Sequence, residues 1–358
     1  MPALVALATR NTEFYGGRVF DAHAIGAMRP SLQPMAWPWL AAHDIARERG
    51  VHLRTADQVS DSRGVQLIAY DWTPDADRLL RQGAQPAALV SFEPPVIAWQ
   101  LYVSLPRISA RFDHTFWFSG ARGRARGRFH GLLFPQPCPA LQVSRTPWEK
   151  RRFLVMVNSS KVLPRAWHAR RWFERPREVS VKRELAALRF PAVARDRYQA
   201  RLQAIDAFAD RSDFDLYGEG WQHRHPGISV RLHSRVLRAY RGPLQDKLQA
   251  MAGYRFALAI ENTRFAGYIS EKLFDCLFAG TIPVYDGAPD VAELVPPSTF
   301  VDLRQFADFR SLEVYLRAMS EPEARRYLDA GQAFLNSPGF ERFCAQAFAR
   351  DLLDALHE

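Results

Sequence analysis

Short apolar runs separated by amphipathic stretches recur along the chain. Leu4–Ala8 reads as a buried strand, and Trp37–Arg49 carries apolar positions at helical spacing until Gly50 closes the segment. Val51–Thr55, Val65–Trp72, Ala87–Phe92 and His114–Ser119 are further short strands, with a short helix over Asp75–Gln82 begun by Pro74. A second series predicts a strand at Phe153–Val157, a helix at Asp196–Ala209 and a strand at Asp213–Tyr217 ending on Gly218. A helix at Leu244–Met251, a strand at Arg255–Ile260, a helix at Glu271–Phe278 ending before Gly280, and a strand at Ile282–Tyr285 complete it. Several helices close the chain. Alternating strands and helices predict parallel sheets covered on both faces. No repeat of fixed period occurs, which argues against solenoids and propellers.

Four prolines (Pro135, Pro137, Pro139, Pro147) stand close together between the two series and read as a connector. The expected division is residues 1–145, residues 150–340 and a C-terminal helix over 341–358. The fold class expected is α/β, two Rossmann-like domains facing across a cleft. Ligands of such sheets bind beyond the C-terminal strand ends, at helix N-termini, which points to a nucleotide.

Composition narrows the classes. With 47% hydrophobic and 24% charged residues in 358, the chain is globular and long enough for two domains. No run reaches the roughly 18 apolar residues of a membrane span. Met1–Asp21 lacks the order of a signal peptide. Cys138, Cys276 and Cys344 are far apart and odd in number, which argues against a disulfide framework or a Cys-based zinc site. The expected location is the cytoplasm, with peripheral contact at the inner face of the membrane as an added option. The net charge of +10 suits an anionic partner, but only five of 48 basic residues are lysines. Charge alone does not choose between nucleic acid, anionic lipid and a phosphorylated ligand. Arg122, Arg124, Arg126 and Arg128 form a flexible basic segment, readable as solvated loop or as a clamp for polyanions or acidic lipid. No aromatic residue interrupts it, so stacking of single-stranded nucleic acid is unsupported.

The run Tyr254–Asp290 carries the chemistry. A core strand ends on Glu261 and Asn262; a loop with Gly267 follows, and Tyr268-Ile269-Ser270-Glu271-Lys272 opens a helix. Ser270 is an N-cap, and the free N–H groups behind it suit a phosphate. Lys272 sets a positive charge where the helix dipole is already positive, a conflict an anion would resolve. Glu271 could accept ribose hydroxyls. The plainer alternative is a capped helix with a solvated Glu-Lys pair.

In this run Glu261, Asn262, Gly267, Tyr268, Ser270, Glu271, Lys272, Ile282, Pro283, Val284, Tyr285, Gly287 and Pro289 stand in order. The pattern resembles the α1,3/4-fucosyltransferases, glycosyltransferase family 10, in a bacterial-type member. Asp286 departs from it, standing where that family usually has a bulky residue. Upstream, Lys247, Phe214–Gly218 and Arg195 with Tyr198, Leu202 and Ile205 fit the same spacing, although Arg197 and Arg201 are close neighbours.

The resemblance implies a GT-B type glycosyltransferase with an N-terminal acceptor domain and a C-terminal donor domain. It implies inverting transfer of L-fucose from GDP-fucose to a glycan hydroxyl, α1,3 or α1,4 on N-acetylglucosamine or glucose, in protein or lipid glycosylation. The acceptor could be lipid-linked, and no nucleic acid is expected as partner. Glu93, at the end of Leu89–Phe92, is the expected base, with Asp113 and His114 as second choice; Pro94-Pro95 offers the alternative of a turn-capping carboxylate. Arg195, Asn262, Tyr268, Glu271, Lys272 and Lys247 are the expected donor-binding residues. Fixed cations would replace a metal, so no cofactor is required. Asp75-Ala76-Asp77 and Asp213-Phe214-Asp215 read as structural acids, and His223-x-His225 lacks a nearby third ligand. Two alternatives remain: a GT-B enzyme using a different nucleotide sugar, and a basic polyanion- or lipid-surface-binding protein without catalysis.

Overall fold

A computed structural model describes residues 4–29, 32–137, 146–160, 177–224 and 228–358. Residues 138–145 of the Pro-rich stretch lie outside the described residues, as do Cys138, Pro139, Lys161 and His225. The chain divides into two units. The first comprises Met1–Pro139, Ala266–Tyr268 and Glu341–Glu358; the second comprises Ala140–Phe265 and Ile269–Phe340.

The first unit is built on a parallel six-stranded sheet. Its strands are β1 (Leu4–Thr9), β2 (His52–Thr55), β3 (Gln66–Tyr70), β4 (Gln85–Val90), β5 (His114–Trp117) and β6 (Arg128–Gly131), in the order β2-β1-β3-β4-β5-β6. The inner strands are buried on both faces, which is why they read as continuous apolar runs. The helix Ala345–Ala355 closes this unit against Gln33–Glu48. Phe348 meets Trp39 edge-on at 5.6 Å between ring centres, and Arg49 pairs with Asp354 at 2.6 Å.

The second unit carries β7 (Arg152–Val157), β8 (Phe214–Tyr217), β9 (Tyr254–Ile260), β10 (Ile282–Asp286) and β11 (Val301–Asp302), ordered β11-β10-β9-β7-β8. All pairs are parallel. Both sheets share one winding: the second strand lies on one side of the first, and the remaining strands follow on the other. The crossover point therefore falls between β1 and β3 in one unit and between β7 and β9 in the other, where ligand crevices form.

Two sequence expectations need correction. The basic segment is not a loop throughout. Ser119–Arg124 is a 3-10 turn and Arg128 begins β6, with Arg122 over the Phe129 ring, Arg124 Nε donating to Tyr102 O at 3.3 Å and Arg128 paired with Glu358 at 2.7 Å. The expected helix over Leu244–Met251 begins only at Lys247, because Asp246 caps it by accepting from Gln249 N.

Candidate active site

The apolar strand β9 ends on Glu261, which is fully buried. One carboxylate oxygen accepts from Ser270 N and the other from Ser270 Oγ, each at 2.7 Å. Ser270 caps the helix Glu271–Ala279, whose far end turns through Gly280 in the left-handed conformation. Glu261 thus locks the start of this helix against the end of β9.

Lys272 lies over that cap. Its Nζ donates to Ser270 Oγ at 3.1 Å and to Glu271 at 3.0 Å, and stands 3.6 Å from Glu261. The conflict between Lys272 and the helix dipole is thereby relieved within the chain by two carboxylates. Burial raises the Glu261 carboxyl above its ordinary value, with Lys272 opposing. Burial also pushes Glu271 up, but the Lys272 and Lys247 ammonium groups together outweigh it and hold the carboxyl at about 2. Lys247 is itself ion-paired with Asp275. Burial lowers its affinity for the proton, and the Asp275 and Glu271 carboxylates more than restore it.

Arginines gather at the same strand ends. Arg201, buried to 3% exposure, donates to Ile260 O from Nε and Nη2 and to Asn262 Oδ1 at 2.9 Å. Arg197 N donates to Asn262 O at 2.9 Å, so Asn262 is held through both its backbone and its side chain. Arg197 and Arg264 converge on the fully buried Asp286, at 2.5 Å and 2.6 Å. The residue that departs from the family pattern therefore sits between two guanidinium groups. Gly287 is required beside it: a Cβ there would lie 2.2 Å from Tyr285 Oη and 2.5 Å from Glu261 Cγ. Arg195 is exposed, and its carbonyl accepts from Thr263 Oγ1 at 2.6 Å. At the end of β7, Asn158 Nδ2 and Ser160 Oγ are buried with no partner among the described residues.

Of the expected donor residues, Asn262, Glu271 and Lys272 stand at this edge of the second unit, with Arg195 next to Thr263 and Lys247 behind Glu271. Tyr268 belongs to the first unit, where its ring meets Phe118 edge-on at 5.2 Å. Glu93 follows β4 in the first unit, half-buried, its N donating to Ser91 Oγ at 3.3 Å and its carbonyl accepting from Tyr102 Oη at 3.1 Å. Arg201 and Asp286 were missed as site residues; Arg201 lies in the first turn of the helix Tyr198–Phe208, which Arg197 precedes as N-cap. The two Asp-x-Asp runs are tied to arginines: Asp75 to Arg78, Asp77 to Arg81, Asp213 to Arg317, and Asp215 to Arg152 and Arg241.

Residues 180–329 match the model for the glycosyltransferase family 10 (fucosyltransferase) C-terminal region. The family resemblance read from Tyr254–Asp290 thus holds over a longer stretch that contains it. An alpha-(1,3)-fucosyltransferase 7 from Bos taurus is 41% identical over 104 residues, covering 27% of this chain and 30% of that protein. The chain spans less than a third of the length of the curated relatives it matches. Among solved structures, an alpha1,3-fucosyltransferase superposes with a TM-score of 0.52 at 15% identity, over 100% of this chain and 90% of that one. Anabaena Alr3699/HepE in complex with UDP-glucose superposes with a TM-score of 0.55 at 13% identity, over 99% of each chain. The fold is the α/β GT-B type, with a parallel sheet in each unit.

Proposed function

We propose that this chain transfers L-fucose from GDP-fucose to a hydroxyl of a glycan acceptor with inversion at the anomeric carbon. The observation that carries the reading is the Glu261–Ser270–Lys272 lock at a helix N-terminus, lying inside the stretch that matches the fucosyltransferase family. Such an end offers free N–H groups and a fixed ammonium to a diphosphate.

In this reaction the acceptor oxygen attacks the anomeric carbon as the bond to the diphosphate breaks. Glu93 takes the hydroxyl proton, and GDP leaves with the electron pair. Lys272, Arg195 and the N–H groups behind Ser270 neutralise the charge that develops on the departing diphosphate. Asn262, pinned by Arg201, and Glu271, kept ionised by two lysines, hold the nucleotide and sugar hydroxyls; Tyr268 adds an aromatic contact. Fixed cations fill the role a metal has elsewhere, so the reaction needs no cofactor. The acceptor we assign is N-acetylglucosamine or glucose in a glycan, modified in α1,3 or α1,4 linkage, in a cytoplasmic setting.

A second reading keeps the reaction and changes the donor. Asp286, buried and clasped by Arg197 and Arg264, puts a carboxylate and two guanidinium groups where the family pattern has bulk. Thermal-shift titration with GDP, GDP-fucose and UDP-sugars separates the two. Stabilisation by GDP and GDP-fucose supports fucose transfer; stabilisation by UDP-sugars alone overturns it.

A further inference from the structure

Asp71 has the only positive φ, 64°, of any non-glycine residue among the described residues. It directly follows β3, beside the crossover point of the first sheet. Its N–H donates to Val90 O at 2.9 Å and extends the ladder between β3 and β4 by one residue. Glycine or asparagine would take this backbone more easily. The chain instead keeps a carboxylate, 8% exposed, turned into the protein.

That carboxylate accepts from Ser91 Oγ at 2.6 Å. Ser91 is fully buried and has one hydroxyl proton, which it donates in the hydrogen bond to Asp71. Its oxygen is left to accept, and it accepts from Glu93 N at 3.3 Å. The Glu93 amide can only donate, so the Ser91 oxygen accepts from it while the Ser91 hydroxyl donates to Asp71, and the chain of bonds runs from Glu93 to β3. Tyr102 Oη holds the Glu93 carbonyl from the helix Trp99–Ser109. We propose that Asp71 is a positioning residue which acts through Ser91 to set the backbone and the proton affinity of Glu93. The proposal rests on Glu93 as the proton acceptor of the reaction above.

Among the described residues, four other titratable groups face this pair. Arg10, following β1, stands 4.0 Å from Asp71. Tyr70 on β3 and Tyr102 on the neighbouring helix are pushed up by burial first, and both carboxylates add to the rise. Glu93 completes the set. Burial raises the carboxyl of Asp71 itself, while the Ser91 hydrogen bond and Arg10 oppose. Asp71 and Glu93 both act on Tyr70 and Tyr102, and a second negative charge in that buried neighbourhood favours the protonated form of Glu93, the direction a general base needs.

The test follows the Glu93 side-chain carboxyl carbon by NMR titration of the full chain, assigned with Glu93→Gln. Asp71→Asn tolerates the backbone and removes the charge; Asp71→Gly relieves the backbone and removes the side chain; Ser91→Ala cuts the link. The expected result is a fall in the Glu93 midpoint of about half a pH unit or more in Asp71→Asn. The rate of transfer from GDP-fucose to an N-acetylglucosamine-containing glycan should fall at least about tenfold in all three variants, with KM for GDP-fucose unchanged. Asp71→Gly should unfold no earlier than the natural chain. An unmoved midpoint in Asp71→Asn, or full turnover in Asp71→Gly, overturns the proposal. Absence of turnover in the natural chain with a Glu93 midpoint that still moves would instead count against fucose transfer.

Discussion

The two sheets share a winding and differ at their C-terminal edges. In the first, β3 and β4 end in Asp71, Ser91 and Glu93, two carboxylic residues linked through a serine, with Arg10 as the cation beside Asp71. In the second, β9 and β10 end among Arg197, Arg201, Arg264 and Lys272, with Glu261 and Asp286 buried beneath them. One topology thus ends in carboxylates in one unit and gathers cationic side chains in the other, the base and the diphosphate site of the reaction proposed above. The winding decides where a ligand crevice forms; the residues following each strand decide what the crevice can do.

The difference can be broken from either side. Glu93→Gln should produce the largest effect, a loss of transfer of about 10²–10⁴-fold, because a positioned base is removed while the cations remain. Calorimetry should find GDP affinity unchanged in that variant. Near-normal transfer with GDP-fucose saturating would show that the acidic edge does not supply the base. Lys272→Ala acts on the other edge. A loss of about 10²–10³-fold in kcat is expected, together with weaker GDP binding, since one fixed cation at the diphosphate is gone. If GDP bound equally well to Lys272→Ala, the cationic edge would have to be redrawn.

Smaller effects sharpen the picture. Asp286→Asn leaves Arg197 and Arg264 without their shared carboxylate. Both guanidinium groups reach solvent, 29% and 43% exposed, so a destabilisation of about 1–3 kcal/mol is expected, below the roughly 3–5 of a fully buried pair. Denaturant unfolding checks it, and an unchanged midpoint would mean that Asp286 is no anchor. The smallest effect is a matter of pH. Glu271 has its folded pKa lowered from 4.5 to about 2, so its contribution to stability is present above pH 4.5 and is lost as pH falls through about 2. The melting-temperature gap between the natural chain and Glu271→Gln should therefore close across that window. A gap constant from pH 7 to pH 2 would contradict the pairing of Glu271 with Lys272 and Lys247.

How far the sequence revealed these edges depended on whether a residue's role was local. The helix Glu271–Ala279 was legible from both ends, since Ser270 caps one and Gly280 turns the other, and each signal lies within a few residues. The Glu261-Asn262 strand end was legible for the same reason. The helix Trp99–Ser109 was not, because Pro106 interrupts it. Proline has no N–H to offer Tyr102 O, and Arg124 donates to that carbonyl instead, from a distant part of the chain. Arg201 was hidden among arginines whose sequence neighbourhoods look alike; only its burial under Ile260 O separates it from them. Asp71 was hidden more completely, since neither its φ nor its bond to Ser91, 20 residues away, leaves a mark on the pattern of apolar positions.

A glycan array offered GDP-fucose, with UDP-glucose and UDP-galactose in parallel, tests the central claim most directly. Fucose should appear on N-acetylglucosamine- or glucose-containing glycans in α1,3 or α1,4 linkage, with no product from either UDP-sugar. Transfer from a UDP-sugar, with none from GDP-fucose, would contradict it.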